Sequence, residues 1–292
     1  MNNRFIKSKL LNNFLHDPSA IIGSALLVLL LSAALFAPLI APQDPYDLET
    51  LSFDNFLLPP IWMDGGKAPF ILGTDDQGRG IFSTILFGCR TSLLVGFSVV
   101  TLAGSFGVFM GLLAGYYGGK IDAVMMRLAD ILFSFSTTLL AFLLIGIFRE
   151  GGLVVIIFAI CIANWVKYAR TMRGSVLEIK EESYIMAAHA SGASDFRIIF
   201  KYLLPNAIAP IFVVIAVDLA VVIMLEATLS FLGVGVSLTE PSLGMMISIG
   251  KNYIYAGMWW MVVFPGAALI LLVIAINLFA DWLRDALNPK IT

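Results

Sequence analysis

The sequence predicts an all-α integral membrane protein with six transmembrane helices. Hydrophobic residues make up 59% of the 292 residues, charged residues only 13%, and the mean hydropathy is +0.92. A soluble domain averages about 45–50% apolar and about 25% charged residues. A helix needs roughly 20 apolar residues to cross the hydrocarbon core. The candidate spans are residues 20–40, 92–116, 123–148, 152–170, 207–231 and 259–283.

The composition argues against several classes of function. The formal net charge is −2 and the chain has no basic block, so nucleic-acid binding has no electrostatic support. Cys89 and Cys161 form neither a disulfide framework nor a metal-ligand pattern, and no metal site is expected. The only histidines, His16 and His189, lie in polar segments, and no catalytic constellation surrounds them.

The first 19 residues predict an amphipathic segment on the cytoplasmic face of the membrane. Apolar residues recur at near-helical spacing from Phe5 to Phe14 with basic residues between them, which suits a helix lying among lipid headgroups. A disordered basic tail is the alternative. Asp17 and Pro18 then provide an N-cap and a first-turn proline for the first span, residues 20–41. This span is too long to be a typical signal-peptide core, so we expect it to be retained.

The positive charges predict the orientation of the chain. With the N-terminus inside, thirteen of the eighteen Lys and Arg residues are cytoplasmic and five are external. Residues 42–91 are then an external loop. Residues 92–283 form a core of five spans with a cytoplasmic loop at 171–206, and residues 284–292 are a cytoplasmic tail.

Three glycines in the second span predict close helix packing. Gly107, Gly111 and Gly115 recur every four residues and share one stripe of the helix. Small residues on one stripe let another helix backbone approach closely, which is how helices associate in lipid. The helix that meets this stripe belongs either to this chain or to a second subunit.

Four polar residues lie inside the predicted spans: Asp130, Asp218, Glu226 and Asn277. Ionisable groups are expensive in hydrocarbon, so each is expected to face a cavity, a partner or an interface. One interpretation is a polar translocation path, with Glu226 setting an outer gate by bonding to a neighbouring span in one state only. The other is interhelical hydrogen bonding without a role in transport. No span shows an acid–base ladder typical of a proton relay.

The polar segment between the fourth and fifth spans predicts a helix-turn-helix. Residues 184–191 are good helix formers, and Gly192 permits the left-handed turn that ends a helix. Ser194 is expected to cap a second helix that has Asp195 at its positive end.

The second helix of this segment predicts an amphipathic surface. Its expected apolar face consists of Phe196, Ile199, Phe200 and Leu203. Leu204 precedes a proline and is disfavoured in a helix, so Pro205 is expected to begin the fifth span. Such a surface either docks into the groove of a partner or rests on the membrane as an amphipathic linker.

This segment resembles the cytoplasmic loop by which permease subunits of ATP-binding-cassette (ABC) importers contact their ATPase. The family pattern is Glu-Ala-Ala-x3-Gly-x9-Ile-x-Leu-Pro. It is matched at the right spacing by Ala187, Ala188, Gly192, Leu204 and Pro205. Met186 stands in place of the glutamate and Tyr202 in place of the isoleucine.

Other motifs resemble the second, C-type permease of the oligopeptide/dipeptide/nickel branch of that family. They are the external Gly-Thr-Asp-Asp-Gln-Gly-Arg of residues 73–79, the Glu-Ala-Thr-Leu-Ser-Phe-Leu-Gly of residues 226–233, and Trp259-Trp260. Three positions depart from the family pattern. Gly80 replaces an aspartate, Leu243 replaces a tryptophan, and Ser136-Thr137-Thr138 stands where a proline is common.

The resemblance implies the architecture of a type I ABC importer permease and a subunit that moves peptides into the cytoplasm. The residues implied to couple it to the ATPase are Ala187, Ala188, Gly192, Ala193, Asp195, Leu204 and Pro205. The chain has no Gly-x4-Gly-Lys-Ser/Thr phosphate loop. It would therefore have no catalytic residue and no cofactor of its own, since ATP and Mg²⁺ would be bound by partner subunits.

The partners implied are a homologous permease in a heterodimer, two ATPase subunits, an external substrate-binding protein and the lipid bilayer of a prokaryotic inner membrane. Nickel or a metal chelate is the alternative cargo within the family. A secondary transporter, an intramembrane enzyme and a membrane scaffold are alternatives from other classes. The first lacks support because we find no internal repeat of the kind common in such transporters.

Overall fold

The computed structural model describes residues 14–15, 17–47, 53–148, 152–236 and 240–287. The described chain is helical, and its main helices are α1 Pro18–Leu35, α2 Ile81–Tyr117, α3 Gly119–Phe133, α4 Thr137–Phe148, α5 Leu153–Ile179, α6 Ser183–Ala190, α7 Ala209–Phe231, α8 Leu243–Gly250 and α9 Trp260–Leu287. Five of them (α1, α2, α5, α7 and α9) are long and apolar enough to cross a bilayer, and α3 with α4 makes a sixth candidate if the bent pair is one span.

Helix α1 begins as its sequence predicted. Asp17 is the N-cap, and its carboxylate accepts a hydrogen bond from the backbone N–H of Ser19 at 3.0 Å. Pro18 occupies the first turn, where its missing N–H costs nothing. Of the amphipathic segment predicted over residues 1–19, residues 1–13 and 16 lie outside the described part of the chain, and Phe14 and Leu15 are helical.

Helix α2 is longer than its sequence predicted, because it begins at Ile81 rather than at residue 92. The eleven extra residues include hydroxyl side chains that lower the local hydropathy. Two of those hydroxyls bond within the helix: Thr84 donates to the Gly80 carbonyl at 2.9 Å and Thr91 to the Phe87 carbonyl at 3.2 Å. At 37 residues and 1.5 Å per residue, α2 is about 55 Å long.

The predicted third span, residues 123–148, is broken rather than continuous. Helix α3 ends at Phe133, and α4 leaves it at an angle of 90°. The Ser134 hydroxyl donates to the Ile131 carbonyl at 2.7 Å, a local bond of the kind that competes with the helical ladder. The turn predicted at residues 149–151 lies outside the described residues.

Helices α2, α5 and α7 form the centre of the structure. A Cβ atom added at Gly96 of α2 would lie 2.8 Å from Leu219 and 3.0 Å from Ile223 of α7, so these two helices are in close contact. Helix α1 packs on α9, where a Cβ at Gly23 would lie 2.4 Å from the Cβ of Leu278. Glycines therefore line several of the helix crossings, and large apolar side chains such as Tyr168, Met172 and Ile223 fill the core around them.

The C-terminal end of α5 also differs from prediction. The fourth span was expected to end at residue 170, but α5 continues unbroken to Ile179. The extension places Lys167, Arg170 and Arg173 on one continuous helix, three residues apart. Arg173, which was predicted to lie in the loop, is thus held on the same helix as Lys167 and Arg170.

Candidate functional site

We call residues 184–205, which were predicted to contact the ATPase, the coupling segment. It contains most of a short helix that ends in a Schellman turn. Helix α6, Ser183–Ala190, includes Ala187 and Ala188. The backbone N–H of Ala193 donates to the Ala188 carbonyl at 3.1 Å, and that of Gly192 donates to the His189 carbonyl at 3.0 Å. Gly192 has φ +76°, a backbone conformation that residues with a side chain rarely adopt. A Cβ atom added there would meet no other atom within 4 Å. Gly192 is thus required by the backbone and not by packing.

The second half of the segment differs in detail from its predicted form. Ser194 occupies the N-cap position, but its side chain makes no capping hydrogen bond. Asp195 begins the following turn, Asp195–Arg197, and a π-helix continues over Ile198–Leu203. Leu204 is helical despite preceding Pro205, and it starts a short turn, Leu204–Ala207. The fifth span therefore begins at Ala209 and not at Pro205.

The predicted apolar face is divided between two surfaces. In the π-helix, five-residue hydrogen bonding changes which side chains share a side of the helix. Ile199 and Leu203 are buried, together with Ile198. Phe196 and Phe200 are 71% and 44% exposed, and their ring centroids lie 4.6 Å apart. One surface anchors the segment to the core, and the other presents two aromatic rings.

The segment contacts the C-terminal end of α2. The Tyr116 hydroxyl donates to the Asp195 carboxylate at 2.7 Å, and the Tyr116 ring stacks on His189 with centroids 6.1 Å apart. These side chains border an open cleft of about 670 Å³, which is also lined by Tyr117, Lys180, Glu181 and Met186. Met186, where the family has a glutamate, is 57% exposed beside this cleft.

The glycine stripe of α2 faces α5 of the same chain. A Cβ added at Gly107 would lie 2.4 Å from the Trp165 carbonyl oxygen, and one at Gly111 would lie 2.4 Å from that of Ala169. At Gly115 it would lie 2.8 Å from Val176. The stripe is thus filled by an intramolecular crossing, so it does not carry the contact with a second subunit.

Three basic side chains of α5, Lys167, Arg170 and Arg173, each form an ion pair with an acid of another helix. Arg173 Nε lies 2.5 Å from Asp122, and Arg170 Nη2 lies 2.6 Å from Asp130. Both acids belong to α3, and the Asp130 side chain is 57% exposed. Asp130 therefore lies in an exposed ion pair that joins two helices, not in a buried polar path.

The Asp218 carboxylate, which is 3% exposed, is the acid of the third pair. It forms an ion pair with Lys167 and accepts a hydrogen bond from the Tyr168 hydroxyl at 2.5 Å. Both partners lie on α5, about fifty residues earlier in the chain. A buried carboxylate needs such compensation, because an unpaired charge is costly in a low-dielectric interior.

The Glu226 carboxylate is fully buried and is held by neutral hydroxyl groups. Ser92 of α2 donates to it at 2.7 Å, Ser230 of α7 at 2.8 Å, and Ser242, the N-cap of α8, at 3.1 Å. We call these four residues the Glu226 cluster. Sequence reasoning selected the acid and did not pair it with its serines. Ser230 lies four residues further along α7, whereas no short spacing connects residues 92, 226 and 242.

Asn277 is exposed on α9 and is not part of either carboxylate site. The four polar residues predicted in the spans therefore lie in four separate environments rather than in one path within this chain. Among the described residues, no group of three or more His, Cys, Asp or Glu side chains is arranged to hold a metal ion.

The segment before α2 is organised by a buried ion pair. Asp75 accepts from Arg79 Nε at 2.7 Å and from the Arg79 backbone N–H at 2.9 Å. Its neighbour Asp76 accepts from the Tyr253 hydroxyl at 3.3 Å. Burial, followed by the charge of Asp75, raises the pKa of Asp76, and the charge of Asp76 raises the pKa of Tyr253.

Two of the positions that depart from the family pattern, Gly80 and Leu243, lie at the starts of α2 and α8. Gly80 is the N-cap of α2 and provides no side-chain cap. Its N–H donates to Gln43 Oε1 at 2.8 Å, so a residue from the earlier part of the chain covers the helix start. Leu243 is the first residue of α8 and is fully buried.

Two family models match this chain. One, described as "Binding-protein-dependent transport system inner membrane component", matches residues 107–292. The other, described as "N-terminal TM domain of oligopeptide transport permease C", matches residues 8–60. Together they cover the first span and the chain from the C-terminal part of α2 onward.

Curated relatives match over nearly the whole chain. The di/tripeptide transport system permease protein DppC of Pseudomonas aeruginosa is 39% identical over 280 residues, covering 96% of this chain and 90% of the relative. The dipeptide transport system permease protein DppC of Haemophilus influenzae is 37% identical, with 95% and 92% covered. The oligopeptide transport system permease protein OppC of Bacillus subtilis is 35% identical, with 95% and 88% covered.

A solved structure shares the fold. It is described as an inward-facing conformation of the MetNI methionine ABC transporter, and it superposes with a TM-score of 0.58. The match covers 71% of this chain and 98% of the other at 22% sequence identity. At that identity the likeness concerns the arrangement of helices alone.

Proposed function

This chain belongs to the inner membrane components of binding-protein-dependent transport systems, as an OppC/DppC-type permease, and from that premise we propose that it imports peptides in an ATP-driven complex. The observation that carries the proposal is the near full-length match to permeases whose names specify dipeptides, di/tripeptides or oligopeptides. The resemblance deduced from the loop motif is thereby confirmed at the level of family.

The proposed complex contains four kinds of protein. This permease pairs with a homologous permease, two ATPase subunits bind at the cytoplasmic side, and an external binding protein delivers the substrate. The family description supports the last of these, since it names transport that depends on a binding protein. ATP and Mg²⁺ are bound by the ATPase subunits.

We propose that both termini and the α6 segment face the cytoplasm, and that α3 and α4 count as the third of six spans. The excess of Lys and Arg in the segments assigned to the inside supports this orientation. The geometry is consistent with it, because the coupling segment contacts Tyr116 at one end of α2 and the segment of residues 53–80 leads into the other end.

The proposed coupling surface consists of α6, the Gly192 turn and the two exposed phenylalanines. Ala187, Ala193, Asp195, Leu204 and Pro205 support or form this surface, and Ala188 anchors α6 because it is buried. Exposed aromatic rings on a short helix are suited to insertion into a groove of another protein. Closure of the ATPase subunits then moves the segment, and α7, which follows it directly, moves as a rigid body.

Substrate passes along the interface with the partner permease. The exposed side of α9, including Asn277, is available to line that interface. Asp130 and Asp218 are engaged in ion pairs with α5, so their proposed role is to hold the helices together.

The proposal is tested by reconstituting the complete complex in proteoliposomes and measuring ATP-dependent uptake. Labelled dipeptides, tripeptides and pentapeptides are compared with a nickel chelate. We expect uptake of at least one peptide class that requires ATP and the binding protein. Uptake of the nickel chelate but of none of the peptides would contradict the assignment of cargo.

A matched variant tests the coupling surface separately. Phe196→Ala removes a ring of the segment that is 71% exposed, whereas Phe212→Ala removes a ring of α7, outside the segment, that is 48% exposed. We expect Phe196→Ala to reduce transport and ATPase binding, with Phe212→Ala close to wild type. Equal behaviour of the two variants would show that the exposed rings of the segment do not contact the ATPase.

A further inference from the structure

The Glu226 cluster joins three parts of the chain at one buried point. Its serines lie on α2, on α7 itself and at the start of α8, and Ser92 precedes Glu226 by 134 residues in the sequence. Glu226 is 0% exposed, and Ser92, Ser230 and Ser242 are equally inaccessible. Each serine directs its hydroxyl at the same carboxylate, so Glu226 is the common acceptor for all three segments.

Helix α8 is fixed to α7 by more than the carboxylate. A Cβ at Gly244 would lie 2.2 Å from the Ala227 carbonyl oxygen, so the two backbones touch. The Ser248 hydroxyl donates to the Phe231 carbonyl at 2.6 Å. On its other side α8 meets α2, where a Cβ at Gly88 would lie 3.2 Å from the backbone nitrogen of Leu243.

Helix α7 connects this cluster to the opposite end of the structure. It is one continuous helix of 23 residues, about 35 Å long, and its proline lies in the first turn, where it causes no kink. It begins four residues after the coupling segment ends. A displacement at its first residues is therefore transmitted to Glu226, seventeen residues further on, without an intervening joint.

We propose that Glu226 is a positioning residue that fixes α8 to α7 and α2, so that α8 follows α7 when the coupling segment moves. The proposal rests on the proposed function, since it is the ATPase that moves the segment. Helix α8 lies at the end of α2 away from that segment, where substrate enters in the proposed orientation. The hydrogen bonds, not a charge, perform this role.

The chemistry of the cluster predicts which substitutions preserve it. A glutamine at position 226 retains one acceptor oxygen for Ser230 and Ser242 and adds an N–H₂ group. The Ser92 hydroxyl, which can either donate or accept, then rotates to accept from that group. An alanine leaves three buried hydroxyl groups without their acceptor.

The test measures whether α8 follows the nucleotide state of the assembled transporter. The complete complex, with partner permease, ATPase subunits and binding protein, is placed in lipid nanodiscs in a Cys89→Ser, Cys161→Ser background. Spin labels at Tyr255→Cys, which is 100% exposed after α8, and at Val28→Cys, 64% exposed on α1, report their separation. It is measured with and without a non-hydrolysable ATP analogue.

We expect a nucleotide-dependent change in separation in the wild-type background and at most half of it in Glu226→Ala. Glu226→Gln should retain it. Thr228→Ala is the matched control, because that hydroxyl lies two residues away on α7 and bonds only to its own helix, at the Met224 carbonyl. If Glu226→Ala prevents assembly, Ser242→Ala replaces it, since this variant leaves Glu226 bonded to α2 and α7 and removes only what Ser242 itself contributes, its bond to the carboxylate and the cap that it gives the Met245 N–H.

Three results would count against these proposals, and they differ. A full change in Glu226→Ala, or in Ser242→Ala where that variant is used, would overturn the positioning role. An intact complex in which Glu226→Gln behaves like Glu226→Ala would show that a charge is needed, which also overturns it. No change in the wild-type background, with ATP binding intact, would instead contradict the proposed coupling of this chain to an ATPase.

Discussion

The two ends of helix α2 are held in opposite ways. At its C-terminal end, Tyr116 reaches the coupling segment through one hydrogen bond to the exposed Asp195 and through stacking on His189. Near its N-terminal end, Ser92 belongs to a cluster that is wholly buried, and Gly88 lies against the backbone of α8. One contact is open to solvent, and the other is sealed inside the core.

This difference separates a surface that can exchange partners from one that cannot. An exposed hydrogen bond is worth little, because water competes for both groups. A buried acceptor shared by several donors costs free energy whenever the contact opens, because water cannot replace the lost bonds. The exposed contact between Tyr116 and Asp195 can therefore rearrange when another protein binds, while the α8 end is expected to move only together with α7.

The largest expected effect comes from adding one methyl group to the buried contact between α8 and α7. Gly244→Ala adds a Cβ where the Ala227 carbonyl oxygen is 2.2 Å away, so the two backbones must separate. We expect the free energy of unfolding to fall by about 3 kcal/mol, the upper end of the usual range for overpacked cores. The measurement is the thermal unfolding midpoint of the purified complex. A midpoint within 1 °C of wild type would show that α8 is not packed on α7 as described.

Substitution of Gly192, in the exposed coupling segment, should affect activity more than stability. At Gly192 a side chain meets no atom within 4 Å, so Gly192→Val costs only the left-handed backbone, about 1–2 kcal/mol. We expect normal insertion and assembly but loss of substrate-stimulated ATPase activity, because the turn orients α6. Gly174→Ala, a helical glycine that also has open space around it, is the control. Wild-type stimulation in Gly192→Val would remove the turn from the coupling mechanism.

Removal of the hydroxyl at Tyr116 should have a smaller effect. Tyr116→Phe keeps the ring on His189 and deletes only the bond to Asp195. Since Asp195 is exposed, we expect less than about 1 kcal/mol of destabilisation. Basal ATPase activity should rise slightly as the segment loosens. A shift in unfolding midpoint as large as that of Gly244→Ala would mean that the open end is not weakly held.

The smallest expected effect is a pH dependence of stability that arises from Asp76, near α8. The pKa of Asp76 is raised in the folded chain, first by burial and then by Asp75. The folded state thus binds the proton more tightly, and this contribution to stability is full below the ordinary pKa of 3.8 and is lost as pH rises through the folded value. We expect wild type to gain stability relative to Asp76→Asn when pH falls from 7 towards 4.5. A pH-independent difference in unfolding midpoint would contradict this.

Several local features could be predicted from the sequence because they depend on neighbouring residues. The cap at Asp17, the helix over residues 184–191 and the turn at Gly192 follow from side-chain chemistry within a few positions. The start of α2 was misplaced because Thr84, Arg90 and Thr91 interrupt the apolar run, yet all three lie within the helix and both threonines bond to its backbone. The break after Phe133 and the π-helix at Ile198–Leu203 were missed because residues other than proline produce them.

The amino-acid sequence by itself determined that the chain is a membrane protein, because hydropathy is a local property. It also determined which loop resembles the coupling loop of ABC importers and which family the protein belongs to, because the spacing of a motif is local as well. Only the tertiary structure decided which partner each buried acid has. Asp218 meets Lys167 and Tyr168, and Glu226 meets serines from three segments. Such pairings depend on how helices cross, and helix crossings bring together residues whose separation in sequence carries no periodic signal.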